Sequence, residues 1–277
     1  MDIIFKTPSH KRLRLCGFVL GLWVLSFFGW RLGRDMRSSY FWFRYVDDII
    51  DGDLEYAGSL ENFRKAKKQI LQSLEDIDLV INLNLQKIDF LIIHVYNSGL
   101  SSGYDYQPLM LRLFNALEYD MIRIKQKKIY SKSSEIKEYF DNLDIPSVAM
   151  TLNLINEKLI TLKDLEPLID ATRTRYNVRD FVQDLQAGIV NIPLEEIKQY
   201  GINIETCQNI SSLEEMIKHV PFRMWFTDQV GYMEKKLARG KKIVKEQPLR
   251  FRTWLALTLC FIRPCNINLK KWKILIT

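Results

Sequence analysis

Two long stretches, residues 59–98 and 109–145, contain neither glycine nor proline. A fold of many short strands needs turn residues every several positions, so such runs leave helix as the element able to use them. No alternating apolar–polar pattern, internal repeat or low-complexity tract offers another architecture. At 277 residues and 47% hydrophobic content, the chain has ample apolar surface for a core. The sequence predicts an all-α protein forming a single domain over residues 1–277, with 1–15 and 265–277 as peripheral tails.

Cap and stop residues divide the chain into helices. Asp35 is expected to cap a helix from Met36 to Asp51 that Gly52 stops. Ser59 opens another that ends near Leu74, Ile77–Val95 forms an apolar helix, and Asn97–Gly103 is a loop. Further helices run from Pro108 to Lys127, from Ser133 or Ser134 through Pro146, and from Leu162 to Leu185, ending near Gly188. A segment with Pro193 and Gly201 follows, and two or three helices complete the chain. Near the N-terminus, His10–Arg14 and the apolar Cys16–Trp30 imitate a signal peptide, but Arg31, Arg34 and Arg37 stand where a small-residue cleavage site belongs. That apolar run also falls short of the ~20 residues a spanning helix needs. It reads as a buried first helix, with a membrane-embedded anchor as the alternative.

The formal charge of +7 is concentrated in runs such as Lys125–Lys128, Lys235–Lys245 and Lys270–Lys273. A phosphorylated small molecule, an anionic membrane surface or nucleic acid would suit that balance, and solvated helix faces would equally explain it. Nucleic acid ranks last, because the runs lack interleaved aromatics and no nucleic-acid motif is present. Cys16, Cys207, Cys260 and Cys265 form no Cys-x-x-Cys pair, and His10, His94 and His219 do not cluster. This usage argues against zinc and for a reducing, cytoplasmic compartment.

Two acidic clusters carry the chemistry. In Arg44-Tyr-Val-Asp47-Asp48-Ile-Ile-Asp51, the i,i+4 spacing puts Asp47 and Asp51 on one helix face with Asp48 beside them. In Arg179-Asp180-Phe-Val-Gln-Asp184, Asp180 and Asp184 share a face in the same way. Either cluster alone is equally readable as a solvated face with local ion pairs. Both together, embedded among Phe41, Trp42, Phe43, Ile49, Ile50, Phe181 and Val182, call for a divalent cation to offset the repulsion. Mg²⁺ takes one or two carboxylates plus substrate phosphates, and such a clamp makes diphosphate a good leaving group. Arg44 and Arg179 are spaced to add charge-assisted hydrogen bonds to phosphate oxygens.

Residues 40–51, YFWFRYVDDIID, closely resemble the first aspartate-rich motif of squalene/phytoene synthases. Residues 178–197, VRDFVQDLQAGIVNIPLEEI, with Tyr200-Gly201, resemble the second motif and its trailing Pro-x-(Asp/Glu)-Glu segment. Weaker similarity at Leu117–Asp120, Tyr130–Tyr139 and Tyr232–Arg250 extends the resemblance from about Ser26 to Phe261. It implies a class I isoprenoid-synthase helical bundle around a central cavity, with two or three Mg²⁺ ions held by Asp47, Asp51, Asp180 and Asp184. Asp48 and Tyr232 would join these as catalytic residues, and Arg44, Arg179, Arg173, Tyr139 and Arg263 would bind substrate. The implied reaction condenses two 15- or 20-carbon prenyl diphosphates 1′–1 to a phytoene-, dehydrosqualene- or squalene-type hydrocarbon. The implied protein is a monomer or weak dimer, in peripheral contact with the inner face of the membrane. No Gly-x-Gly-x-x-Gly fingerprint indicates NADPH.

The chain departs from the family's pattern at named places. Arg173 and Tyr176 stand where the family has Gln and a metal-ligating Asn, and Asn177 is one position out, about 100° around a helix. Ile189 and Asn191 replace an Arg and a Tyr, while Asp144 and Ile145, followed by Pro146, replace a small Ala-Gly pair of the prenyl cavity. Arg173 is expected to supply fixed charge in place of the missing ligands. Two alternatives stay open: transfer of one prenyl group to a non-isoprenoid acceptor, and a non-catalytic member of the fold.

Overall fold

The computed structural model describes residues 23, 29–50, 60–75, 87–126 and 131–276, without the side chains of 47–50 and 125–126. Every regular element among them is helical. They form α1 (Trp30–Ile50), α2 (Leu60–Glu75), α3 (Asp89–Leu100), α4 (Gln107–Gln126), α5 (Ser133–Leu154) and α6 (Leu162–Gln186). Then come α7 (Leu194–Tyr200), α8 (Ile204–Gln208), α9 (Leu213–Met216), α10 (Val220–Glu246) and α11 (Phe251–Leu257). A π turn at Thr258–Ile262 leads into α12 (Arg263–Ile276). None of the described helices is long and apolar enough to cross a membrane. The chain divides into two compact units, residues 1–121 with 149–156, and residues 122–148 with 157–277.

In the first unit α1 packs on α3, and α2 packs on α3 as well. Trp42 is buried on α1, its ring 5.1 Å from Phe114 and its indole N–H donating to Asp89 Oδ1 at 3.2 Å. Arg64 and Lys67 of α2 donate to Glu118 of α4. Helix α1 begins at Trp30, earlier than the expected start at Met36, because Asp35 is not a cap. Its buried carboxylate is turned to α3, where it accepts hydrogen bonds from His94 (2.9 Å) and Ser98. The same contact corrects the loop expected at Asn97–Gly103. Helix α3 runs to Leu100, because Ser98 is an internal partner and Gly99 lets the Tyr106 ring approach where a Cβ would lie 2.5 Å from it. The buried first helix expected at Cys16–Trp30 and most of the helix expected at Ile77–Val95 lie outside the described residues. Trp23 and Trp30, which are described, are exposed.

The second unit is organised around α6 and α10, which pack along each other. A capping box starts α6: the Thr161 hydroxyl accepts from the Asp164 amide, and the Asp164 carboxylate accepts from the Thr161 amide. Leu165, Leu168, Val178, Phe181 and Leu185 form the buried face of α6. Phe181 meets Phe222 and Trp225 of α10 at 5.0 and 5.9 Å, and Trp272 of α12 closes on Phe226 at 6.0 Å. Gly240 of α10 sits directly over Leu168, so the two helices approach closely there. The segment expected as a tail, 265–277, supplies nearly all of α12 and buries Cys265, Leu269 and Trp272. It is part of this unit's core because its apolar residues fall on one helical face.

Candidate functional site

Positions 170, 173, 177, 180 and 184 of α6 are spaced i, i+3, i+7, i+10 and i+14, so they share about 80° of arc. Those positions hold Asp170, Arg173, Asn177, Asp180 and Asp184, all half-buried. The buried residues Thr174, Val178, Phe181 and Leu185 lie on the adjoining arc of α6, so the polar stripe runs along the border of the packed side of the helix.

Each carboxylate of the stripe has a donor. Asp170 accepts from the Tyr232 hydroxyl at 3.1 Å and from Lys236 Nζ, both on α10. Burial and the Asp170 charge push the Tyr232 hydroxyl upward, and the hydrogen bond to Asp170 raises Lys236. Asp180 is gripped by its neighbour Arg179 through both carboxylate oxygens, with Nε at 2.6 Å from Oδ1. The Arg179 guanidinium also lies 4.6 Å from the centre of the Tyr176 ring, which is exposed.

Asp184 occupies the last turn of α6, where the helix closes in a Schellman motif. The Ile189 amide donates to the Asp184 carbonyl (2.8 Å), the Gly188 amide donates to the Leu185 carbonyl (3.1 Å), and Gly188 takes φ of 82°. Ile189, which departs from the family's pattern, is the buried apolar residue this motif calls for. The turn brings Asn191 back so that its Nδ2 donates to Asp184 Oδ2 at 3.3 Å. Asn191 Oδ1 accepts from the buried Arg123 at 2.9 Å, and that guanidinium lies 4.9 Å from the centre of the Tyr139 ring. Tyr139 therefore belongs to the surroundings of Asp184, with Asn191 and Arg123 between them.

Arg173 lies against α5. Its Nε donates to Asp144 at 2.9 Å and its Nη2 to Asp141 at 3.0 Å, while the guanidinium sits 5.1 Å from the Phe140 ring. The two departures at positions 173 and 144 are therefore one ion pair. Burial pushes the Asp144 carboxyl up to about 6 despite Arg173. At Asp141 burial acts the same way but is outweighed by the hydrogen bonds from Lys137 and Arg173, and its carboxyl lies below its ordinary range.

The structure thus gathers Asp180, Asp184, Arg179, Arg173 and Tyr232 on or beside one helix face. Arg44 is half-buried on α1, and Asp47 and Asp48 lie on the same helix with side chains outside the described residues. Asp51 lies outside them too. Arg263 is exposed at the start of α12 and is not drawn into the α6 network. Among the described residues no group of three or more histidine, cysteine, aspartate or glutamate side chains is placed to hold a metal. Asp180 and Asp184 offer two carboxylates, which suits Mg²⁺ with phosphate and water completing its shell. Sequence reasoning missed Asp170 and Arg123. Asp170 was within reach, because it lies ten residues before Asp180 on the same helical face; Arg123, one of several charged residues between Glu118 and Lys128, carries no sequence signal of its own.

No family model matches the sequence, and no curated protein matches it. The three-dimensional comparison gives a different result. The chain is similar to squalene synthase HpnC from Alicyclobacillus acidocaldarius, with a TM-score of 0.61 at 17% identity over 99% of this chain and 95% of that one. The protein has a squalene/phytoene-synthase-like, all-helical fold.

Proposed function

We propose that this chain is a Mg²⁺-dependent prenyltransferase that condenses two prenyl diphosphates of 15 or 20 carbons 1′–1. The product is a phytoene-, dehydrosqualene- or squalene-type hydrocarbon, with diphosphate released. The observation that carries the reading is the half-buried pair Asp180 and Asp184 on one face of α6, in a chain with this fold. Asp47 and Asp51, with Asp48 between them, form the matching pair on the sequence argument. These aspartates would hold Mg²⁺, which would supply the positive charge that offsets the charge developing on departing diphosphate. The carbon–oxygen bond breaks with its electron pair leaving on the diphosphate. The allylic cation is then captured by the double bond of the second prenyl diphosphate, and a proton is lost as the cyclopropyl ring closes. The ring opens as the second diphosphate leaves, and the resulting cation loses a proton to give a phytoene- or dehydrosqualene-type product, or takes a hydride from a nicotinamide donor to give a squalene-type one.

The chain's own residues have definite tasks in this reading. Arg179 is bound to Asp180. A cation on that carboxylate would compete with the guanidinium, which would then be available to phosphate oxygens. Arg123 and Asn191 hold the Asp184 carboxylate in place, and Lys236 and Asp170 fix the Tyr232 hydroxyl. Arg44, Tyr139 and Arg263 remain proposed substrate contacts, and peripheral contact with the inner face of the membrane completes the reading.

A second reading is favoured by one observation: Arg173 is held by Asp144 and Asp141 and is not presented as a spare cation. Without that charge the second diphosphate site is weaker, and the chain would transfer one prenyl group to a non-isoprenoid acceptor. Incubation with Mg²⁺ and labelled prenyl diphosphates, followed by product extraction, separates the two. A coupled hydrocarbon supports the first reading, and prenyl alcohol alone supports the second. Asp180→Asn and Asp47→Asn should each lower turnover on the order of a thousandfold with the fold intact. Near-normal activity in either variant would remove the two-cluster assignment.

A further inference from the structure

The last stretch of the chain, Gln247 to Thr277, contains six lysines and arginines and no aspartate or glutamate. Helix α11 and the π turn lie within it and turn apolar side chains outward. Thr253 and Leu257 point into the core. Phe251, Trp254 and Leu259 are 62%, 43% and 46% exposed, and Leu255 and Ile262 are half-exposed between them. Phe251 and Trp254 stack on each other, ring centres 5.8 Å apart, and so cover only part of each other's surface. Beside this stripe runs a groove of about 500 Å³. Lys241, Val244 and Lys245 of α10 form one wall, and Leu249, Phe251 and Trp254 form the other. Both lysines are exposed, and Arg250 and Arg252 flank the stripe.

An apolar stripe with Lys241, Lys245, Arg250 and Arg252 along its sides, and with Glu246 as the one acidic residue from 241 to 262, is complementary to a surface that is apolar inside and negative at its rim. We propose that the Phe251–Ile262 face, with Lys241 and Lys245, docks this protein onto an anionic phospholipid bilayer. The charge argues against the other occupants. A second copy laid on this face would bring Lys241, Lys245, Arg250 and Arg252 against the same four cations, and nucleic acid would leave Leu259 and Ile262 without an apolar partner. The aromatic pair suits the headgroup level, where amphipathic rings settle. Helix α11 has seven residues and lies on the surface without spanning it. This inference rests on the peripheral membrane contact in the proposed function and names the face that makes it, and it does not depend on the catalytic chemistry.

The test is flotation of the full chain with phosphatidylcholine vesicles, with and without phosphatidylglycerol. Binding should require phosphatidylglycerol and weaken as salt is raised. The combined variant Phe251→Ser, Trp254→Ser, Leu259→Ser should bind on the order of tenfold more weakly or less, with an unchanged far-UV circular dichroism spectrum. Lys241→Gln with Lys245→Gln should weaken binding to phosphatidylglycerol vesicles and reduce the salt dependence; it also serves if the triple variant misfolds. The proposal is overturned if wild type ignores phosphatidylglycerol vesicles, or if both variants bind like wild type, which would put the contact elsewhere. It is equally overturned if the face proves to bind polyuridine in place of vesicles. A concentration-dependent dimer that the triple variant abolishes, without vesicle binding, would also overturn it.

Discussion

Arg173→Gln tests how α5 and α6 are held together beside the candidate site. The guanidinium serves two carboxylates at 2.9 and 3.0 Å, and the side chains of Arg173, Asp144 and Asp141 are 17%, 24% and 24% exposed. Breaking a fully buried pair costs about 3–5 kcal/mol, and partial exposure brings the expected loss to about 1–3 kcal/mol. Its pH dependence is more telling than its size. Burial already places Asp144 at about 6, above its ordinary 3.8, so its contribution to stability is full at low pH and is lost as pH rises through 6. Arg173 pulls that value down. Without it the carboxyl climbs further, and the loss extends into the neutral range. Urea unfolding followed by circular dichroism should therefore show Arg173→Gln more destabilised at about pH 8 than at about pH 5, where Asp144 takes up a proton. Adding Asp144→Asn should recover most of the loss at the higher pH. Equal destabilisation at both pH values, or none at either, would refute the pairing as the cause.

Gly240→Ala should cost about 1–3 kcal/mol, because the new Cβ would lie 2.5 Å from Leu168 Cγ and push α10 off α6; thermal unfolding measures it. Glu157 is buried, which would raise its carboxyl, but hydrogen bonds from Thr253 and the amides of Leu159 and Lys158 outweigh burial and hold it low. Its stabilisation is thus present above the ordinary glutamate range and lost as pH falls below it. Glu157→Gln should cost about 1–2 kcal/mol at neutral pH and flatten the acid side of the stability–pH curve, read by urea titration.

The helical class and most helix spans are properties of local sequence, and they are legible in it. Thr161 and Asp164 cap α6, and Gly188 ends it. The i,i+4 spacing is enough to put Asp180 and Asp184 on one face. Local signals mislead where a residue with a strong local preference has a distant partner. Asp35 has the signature of a cap and is a buried acceptor for His94 and Ser98. Asn97-Ser98-Gly99 has the signature of a loop and is helix, because Ser98 and Gly99 serve contacts to Asp35 and Tyr106.

Spacing alone fixes which α6 side chains share a face, because helix geometry follows from it. What each of them meets is set by the helices packed around α6. Arg173 has the look of a spare cation for phosphate, but α5 brings Asp144 and Asp141 within 3.0 Å of it. Asn191 has the look of a loss, but the turn after Gly188 carries it back to Asp184. The reason is physical: the charge available at a site depends on which opposite charges packing brings within hydrogen-bond reach, and those partners lie on other helices, at separations that no local pattern encodes.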